Sequence, residues 1–397
     1  MGPLEGLRIV DLSTVLMGPF ATQVLGDYGA DVIKVEAPEG DVTRQSRPTR
    51  SPEMGPAYLT TNRSKRAITL DLKSSAGREA LLQLIRTADV LVTNVRPRAM
   101  ERLELDYQRL APAHPRLIYT SLVGYSQAGP YAERPAYDDL IQGASGIAYA
   151  FELASGKPAY IPSAMADRAV GLAAATAILA AVVERERSGL GQKVEVPMFE
   201  TMASLVMGDH MGGLVFDPPL DEGGNARHVS PNRRPYPTKD GYICALVYND
   251  GQWRRFFKAI GRPEMPDADP RFATWATRFE HIDEIYAELS AILETRTTDE
   301  WLNLFSEADI PAMPMHSFVS LMEDPHMKAT GFFQSVQHPT EGAIRQMAVA
   351  TGFSRTQAQL QCPAPQPNQH AHELLREAGL SDEAIDQIRA QGAFGVA

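Results

Sequence analysis

The first two hundred residues alternate between two periodicities. Leu7–Leu12 is a continuous apolar, β-branched run; Asp31–Glu36, Ala67–Asp71, Asp89–Val95 and Leu117–Leu122 repeat it. Between these runs lie stretches with helical spacing, Pro19–Tyr28 and Ser75–Thr87, the second carrying the cluster Leu81, Leu82, Leu84 and Ile85. Short apolar strands separated by helices imply a parallel sheet covered on both faces. The pattern therefore predicts an α/β, doubly wound, Rossmann-like domain.

The pattern then changes. A long Ala-rich helix is predicted from about Met165 to Arg187, stopped by Ser188–Gly189, followed by a strand at Gln192–Pro197 and a helix from about Phe199 to Met211. Gly212–Pro237, rich in Gly, Pro, Asn and Asp, reads as a linker or mobile loop. Beyond it, a strand at Tyr242–Tyr248 and helices at Gly251–Ile260, His281–Glu294 and Asp299–Ala308 suggest a smaller α+β domain. Two strand-like stretches follow Gly331, then helices near His370–Ala378 and Asp382–Ala390. The expected organisation is a large domain over 1–224, a small one over 225–325, and a segment 326–397 returning to the large domain.

Composition narrows the function classes. With 44% hydrophobic and 22% charged residues, the 397-residue chain has the makings of a sizeable core. Acids exceed bases by 49 to 38, a formal charge of −11, which argues against nucleic-acid binding but not against an anionic small ligand. Two cysteines, Cys244 and Cys362, are too few for a disulfide framework or a zinc cluster and point to a reducing cytoplasm. The N-terminus lacks the layout of a signal peptide. The longest apolar run, Ala169–Val183, is shorter than a membrane span needs, so no membrane partner is expected.

No Gly-x-Gly-x-x-Gly follows the first strand, and there is no Walker A loop, His-Glu-x-x-His or Cys-x-x-Cys. Gly143–Ala144–Ser145–Gly146 misses the nucleophile-elbow spacing, and the nine scattered histidines suggest no metal site. Carboxylate chemistry remains. Asp167, in Met165–Ala166–Asp167–Arg168, falls in the first turn of the long helix, where free N–H groups and the helix dipole would hold an acid ionised. A nucleophilic carboxylate needs that state. Small residues follow (Gly171, Ala173, Ala174, Ala175), so a ligand or another helix could approach closely. Position alone favours an ordinary dipole partner, the usual role of an acid in a first helical turn.

Ordered blocks along the chain carry more information. Pro3–Leu7, Val10–Leu12, Gly18–Pro19, Leu25–Glu36, Asn62–Arg66, Thr69–Lys73, Asp89–Asn94, Gly124–Tyr125, Gly189–Val194, Tyr236–Pro237, Asp240–Gly241 and Glu377–Leu380 together resemble the class III CoA-transferases (formyl-CoA transferase- and carnitine CoA-transferase-like). The resemblance implies coenzyme A and acyl-CoA as substrates with no permanently bound cofactor or metal, a small carboxylic acid as second substrate, and an intertwined homodimer of ring-like protomers. It puts the covalent nucleophile on Asp167. The carboxylate would attack an acyl-CoA thioester to give a mixed anhydride and CoA thiolate. The thiolate would then attack the aspartyl carbonyl, releasing the first acid and leaving an aspartyl-CoA thioester, and the acceptor acid would run the sequence backwards.

By the same resemblance, Val15 and Leu16 match the loop along pantetheine, and Leu70, Asp71, Leu72 and Lys73 the adenine and phosphate segment. Asn94, Val95 and Arg96 match the next strand-end loop, Arg102 a basic position beyond it, and Tyr137 and Asp138 residues beside the thioester. Ala37 stands where some members carry an arginine for the 3′-phosphate, with Arg44 or Arg47 as candidate replacements. Arginines in 43–50 and 212–234 (Arg44, Arg47, Arg50, Arg227, Arg233, Arg234) suit a second carboxylate, hence a dicarboxylate pair such as succinyl-CoA with a C4 or C5 diacid, although ordinary surface arginines fit the pattern as well. α-Methylacyl-CoA racemases resemble the same blocks, but their catalytic histidine falls where this chain has Tyr137, whose hydroxyl is a poor base at neutral pH. A non-catalytic CoA-binding protein is the remaining alternative, against which the position of Asp167 counts.

Overall fold

A computed structural model describes residues 2–394. The chain divides into two compact units, one of residues 1–145, 161–204 and 325–397, the other of 146–160 and 205–324. The second unit thus begins at 205 rather than 225, and takes in a short stretch from before the long helix.

The first unit is built on six parallel strands: β1 (Arg8–Asp11), β2 (Asp31–Glu36), β3 (Lys65–Thr69), β4 (Val90–Thr93), β5 (Ile118–Val123) and β6 (Lys193–Pro197), in the order β3-β2-β1-β4-β5-β6. Ile9 aligns with Val32 on one side and Val90 on the other. Nearly every residue of β2, β4 and β5 is buried, as a sheet with both faces covered requires. Helices α1 (Met17–Asp27), α2 (Ser75–Arg86), α3 (Pro97–Arg102), α4 (Asp138–Ala144) and α5 (Met165–Ser188) join or follow the strands. On one face, Leu81, Leu84 and Ile85 of α2 meet Ile33, Val35 and Ile68, together with Leu374, Leu375 and Ile385 from the C-terminal helices Ala371–Glu377 and Asp382–Ala390. The tail therefore completes the first core.

Across the sheet, α5 packs along α1 and over β5 and β6. Its buried face is Ala166, Val170, Gly171, Ala174, Ala175 and Ile178, at helical spacing. A Cβ on Gly171 would lie 2.8 Å from the Met17 carbonyl oxygen, so glycine is what lets the two helices close up. This helix, longer than the apolar run suggested, is the one among the described residues long and apolar enough to cross a membrane. Here that composition serves the packing on α1.

The second unit pairs three short antiparallel strands, Tyr236–Pro237, Tyr242–Ala245 and Ala312–Pro314, with helices Asp250–Ala259, Ile282–Leu293 and Thr298–Glu307. Trp253, Phe256, Phe257, Phe272, Trp301 and Phe305 form its aromatic core. Capping boxes at Asn249 and Thr297 start two of these helices.

Candidate functional site

Strand order reverses direction between β1 and β4, and in open parallel sheets the crevice at the carboxyl ends of such strands is where ligands bind. An open cleft lies there, lined by the loops after β1 (Thr14–Met17), after β4 (Asn94, Arg96, Pro97) and after β5 (Gly124, Gln127, Ala132–Asp138), with Asp167 and Met198. Gly124 is a point of close approach: a Cβ there would sit 2.3 Å from that of Ala136, so the segment after β5 folds back on the strand end.

Asp167 occupies the first turn of α5, where the Ala164 N-cap offers no side-chain acceptor. Asp138, at the head of α4, supplies one instead. Its Oδ1 accepts the Asp167 N–H at 2.9 Å, and its Oδ2 accepts from Gln142 Nε2 at 2.6 Å. Gln142 also donates to the Ser163 carbonyl at 3.0 Å, and its Oε1 accepts the Ile161 N–H at 2.9 Å. Asp167 stays mostly ionised at neutral pH, as its place in a first helical turn suggests, but it is not brought below the ordinary carboxylate range. Burial, and then the neighbouring Asp138 carboxylate, push Asp167 up to about 6, against a smaller opposing pull from Arg168. Burial is the larger of the two causes, and the Asp138 charge next to it adds to the rise.

The loop after β1 is held just as specifically. Asn94 clamps Thr14 through both main-chain groups: Oδ1 accepts its N–H at 3.0 Å and Nδ2 donates to its carbonyl at 2.8 Å. Val15 has φ of +71°, a left-handed conformation costly for a β-branched side chain, and its N–H points to Asp41 at 3.3 Å. Lys34 donates to the Ser13 carbonyl at 2.6 Å and to Asp41 at 2.8 Å; the Ser13 hydroxyl donates to Asp11. Lys65 donates to Asp11 at 3.2 Å and to the Pro19 carbonyl at 2.8 Å. With Glu36 and Arg44, six buried ionised side chains, three of each sign, lie beneath this loop. Burial brings Lys65 down to about 8, whereas the lysines and hydrogen bonds around Asp11 hold it below its ordinary value despite its burial.

Of the residues singled out above, Val15, Leu16, Asn94, Arg96, Tyr137, Asp138 and Asp167 come together in the cleft. The others lie off it. Leu70 is core, Leu72 and Val95 pack against that core, Asp71 accepts the Lys73 N–H, and Lys73 and Arg102 are exposed. Arg44 is not the free phosphate ligand expected. It is buried, with Nε and Nη2 on the two Glu36 oxygens at 2.8 and 2.7 Å and Nη2 on the Tyr58 hydroxyl. Arg50 donates to the carbonyls of Glu341 and Ala343, and Arg227 to the Tyr286 hydroxyl, so both are engaged within their own units. Arg134, which sequence reasoning passed over, lines the cleft with its guanidinium stacked on Tyr131. Lys34, Asp41, Lys65 and Gln142 were missed too; a lysine inside the apolar run Asp31–Glu36 was the available signal for the first. No cluster of potential metal ligands occurs among the described residues.

Comparison with known proteins agrees with this arrangement. The model of CoA-transferase family III matches residues 4–371. An acyl-CoA transferase of Fusarium pseudograminearum is 35% identical, covering 98% of this chain and 88% of that protein. A succinate–glutarate CoA-transferase of Agrobacterium fabrum is 34% identical, covering 94% and 95% respectively. Among solved structures, a CAIB/BAIF family protein from Brucella suis superposes with a TM-score of 0.80 at 32% identity, covering 95% of this chain and 99% of that one. The chain belongs to CoA-transferase family III, and is a CoA-transferring enzyme.

Proposed function

We propose that this enzyme moves CoA from a succinyl-CoA-type donor to a small dicarboxylic acid through a covalent aspartyl-CoA thioester on Asp167. The observation that carries the reading is a partly buried carboxylate at the carboxyl end of the sheet, lining the cleft there, beside Asp138. Asp167 Oδ attacks the thioester carbonyl; the C–O bond forms, the C–S bond breaks, and the charge leaves with the CoA thiolate. That thiolate attacks the Asp167 carbonyl and expels the donor acid as its carboxylate. The acceptor carboxylate then opens the aspartyl thioester, and returning thiolate completes the exchange. Thioester energy is stored covalently throughout, so no nucleotide is needed. Leu16, Met17, Leu122 and Met198 give the cleft apolar walls that would keep water from the anhydride.

The dicarboxylate part rests on the succinate–glutarate relative and on Arg96 and Arg134, the arginines that line this cleft. The assembly belongs to the proposal as well: a homodimer, working in a reducing, cytoplasmic setting. A panel of acyl-CoA donors and acid acceptors, read by transfer rate and by intact-protein mass, tests the whole. Turnover of succinyl-CoA with C4 or C5 diacids and a CoA adduct localised to Asp167 are expected. Efficient turnover of monocarboxylates alone would remove the dicarboxylate. Exchange of an α-proton with deuterated water, with no adduct, would replace transfer by racemisation.

A further inference from the structure

Gln142 is fully buried in the third position after Asp139 on α4, yet its amide does no simple packing job. Both Nε2 hydrogens and Oε1 are used, on Asp138, on the Ser163 carbonyl and on the Ile161 N–H. Two separate pieces of the site meet at this one side chain: the carboxylate that accepts the Asp167 N–H, and the 161–163 segment that leads into α5. A buried amide with every partner in place fixes a single arrangement, because any rotation leaves a polar atom unpaired.

We propose that Gln142 is a positioning residue for CoA transfer, holding the Asp138 carboxylate on the Asp167 main chain and the 161–163 segment in register, so that the first turn of α5 presents Asp167 to the cleft in one orientation. The proposal rests on Asp167 as the nucleophile. Its consequence is electrostatic as well as geometric. When Asp167 attacks, its negative charge passes to the departing thiolate while that of Asp138 stays. A fixed Asp138 therefore opposes the charged ground state and not the uncharged mixed anhydride that replaces it. The other charged groups lining the cleft with Asp167, or on the first turn of its helix, are Glu133 and Arg134 after β5, Arg96 after β4, and Arg168 on α5 itself. These do not pass through Gln142.

Full-length Gln142→Met and Gln142→Glu, with Asp138→Asn and the Gln142→Met/Asp138→Asn double variant, test this through the acid limb of the kcat/KM–pH profile. In Gln142→Met, Asp138 is released; the limb should move to lower pH by roughly half a unit or more, kcat should fall about 10- to 100-fold, and KM for acyl-CoA should stay within about twofold. The double variant should shift the limb no further than Asp138→Asn does. In Gln142→Glu a second carboxylate faces Asp138, and the limb should move the other way, which loss of fold alone would not produce. If both limbs stay at the wild-type pH, or if the double variant shifts by the sum of the singles, Gln142 has no positioning role. Should Gln142→Met fail to fold, the sign in Gln142→Glu decides by itself. These outcomes are separate from the parent reading, which falls only if wild-type enzyme with acyl-CoA forms no adduct on Asp167.

Discussion

Asp167 shows how one side chain can be read correctly for place while the surroundings that set its titration stay hidden. Its position in a first helical turn is visible in Met165–Ala166–Asp167–Arg168, but its titration depends on Asp138, which lies 29 residues earlier and accepts its N–H only in the folded chain. The same holds for Arg44, which looked free until Glu36 and Tyr58 closed on it. Two predictions concern Asp167, the second of them resting on its raised value near 6. The first is kinetic: Asp167→Asn keeps the shape but has no nucleophile, so transfer should drop by at least three orders of magnitude, more than about 4 kcal/mol in the barrier, while CoA still binds in a direct binding assay. Retention of more than a few per cent of wild-type turnover would contradict covalent catalysis. The second concerns stability. A carboxyl whose folded pKa exceeds its unfolded one binds more protons when native, so its contribution is full below about pH 4 and is lost as pH rises through about 6. Asp167→Asn removes that penalty. Its melting temperature should therefore exceed that of the wild type at pH 7.5, with the difference closing toward pH 4; a gap independent of pH would show that Asp167 titrates normally.

At the scale of elements, strands were legible because they are short, apolar and β-branched, and Asp31–Glu36 falls where the pattern put it. The long helix was legible from its alanines and its Gly189 stop. Short helices such as Pro97–Arg102 and Asp138–Ala144 were not, since each is under two turns long and too short to show an apolar period. The loop after β1 belongs with them: its geometry comes from Asn94, 80 residues on, and from Lys34 and Asp41. This gives a prediction for the loop as a unit. Asn94→Ala removes both bonds to Thr14 and leaves its N–H and carbonyl without their partner, which should cost about 1–3 kcal/mol in denaturant unfolding. Freed of the clamp, Val15 can relax from φ of +71°, and the wall of the cleft that it forms moves. KM for acyl-CoA should then rise about tenfold, with a smaller change in kcat. A variant that loses stability while keeping KM would mean that the loop keeps its shape without Asn94.

For the whole molecule, the doubly wound topology was readable from alternating strands and helices, whereas the way two stretches of chain, 146–160 and 205–324, gather into the second unit was not. Neither periodicity nor composition marks which distant segments share a core. What the folded chain leaves uncovered is informative. Leu172 and Val183 on α5 are about half exposed (50% and 52%), while Phe318 and Val319 stand 94% and 74% exposed. Large side chains left in water on a helix that is otherwise packed on α1 call for a cover. A second copy of the chain is the cover the proposed homodimer supplies, and a permanent dimer of this kind buries on the order of 2,000 Å² or more. Sedimentation velocity at nanomolar protein should therefore give a single species at twice the 43.5 kDa chain mass, unchanged by detergent. Leu172→Glu, placing a charge on the exposed apolar face of α5, should yield a slower species at the same concentration. A wild-type species at 43.5 kDa would leave these side chains to another partner, and a mass that changes only with detergent would assign α5 to a lipid surface.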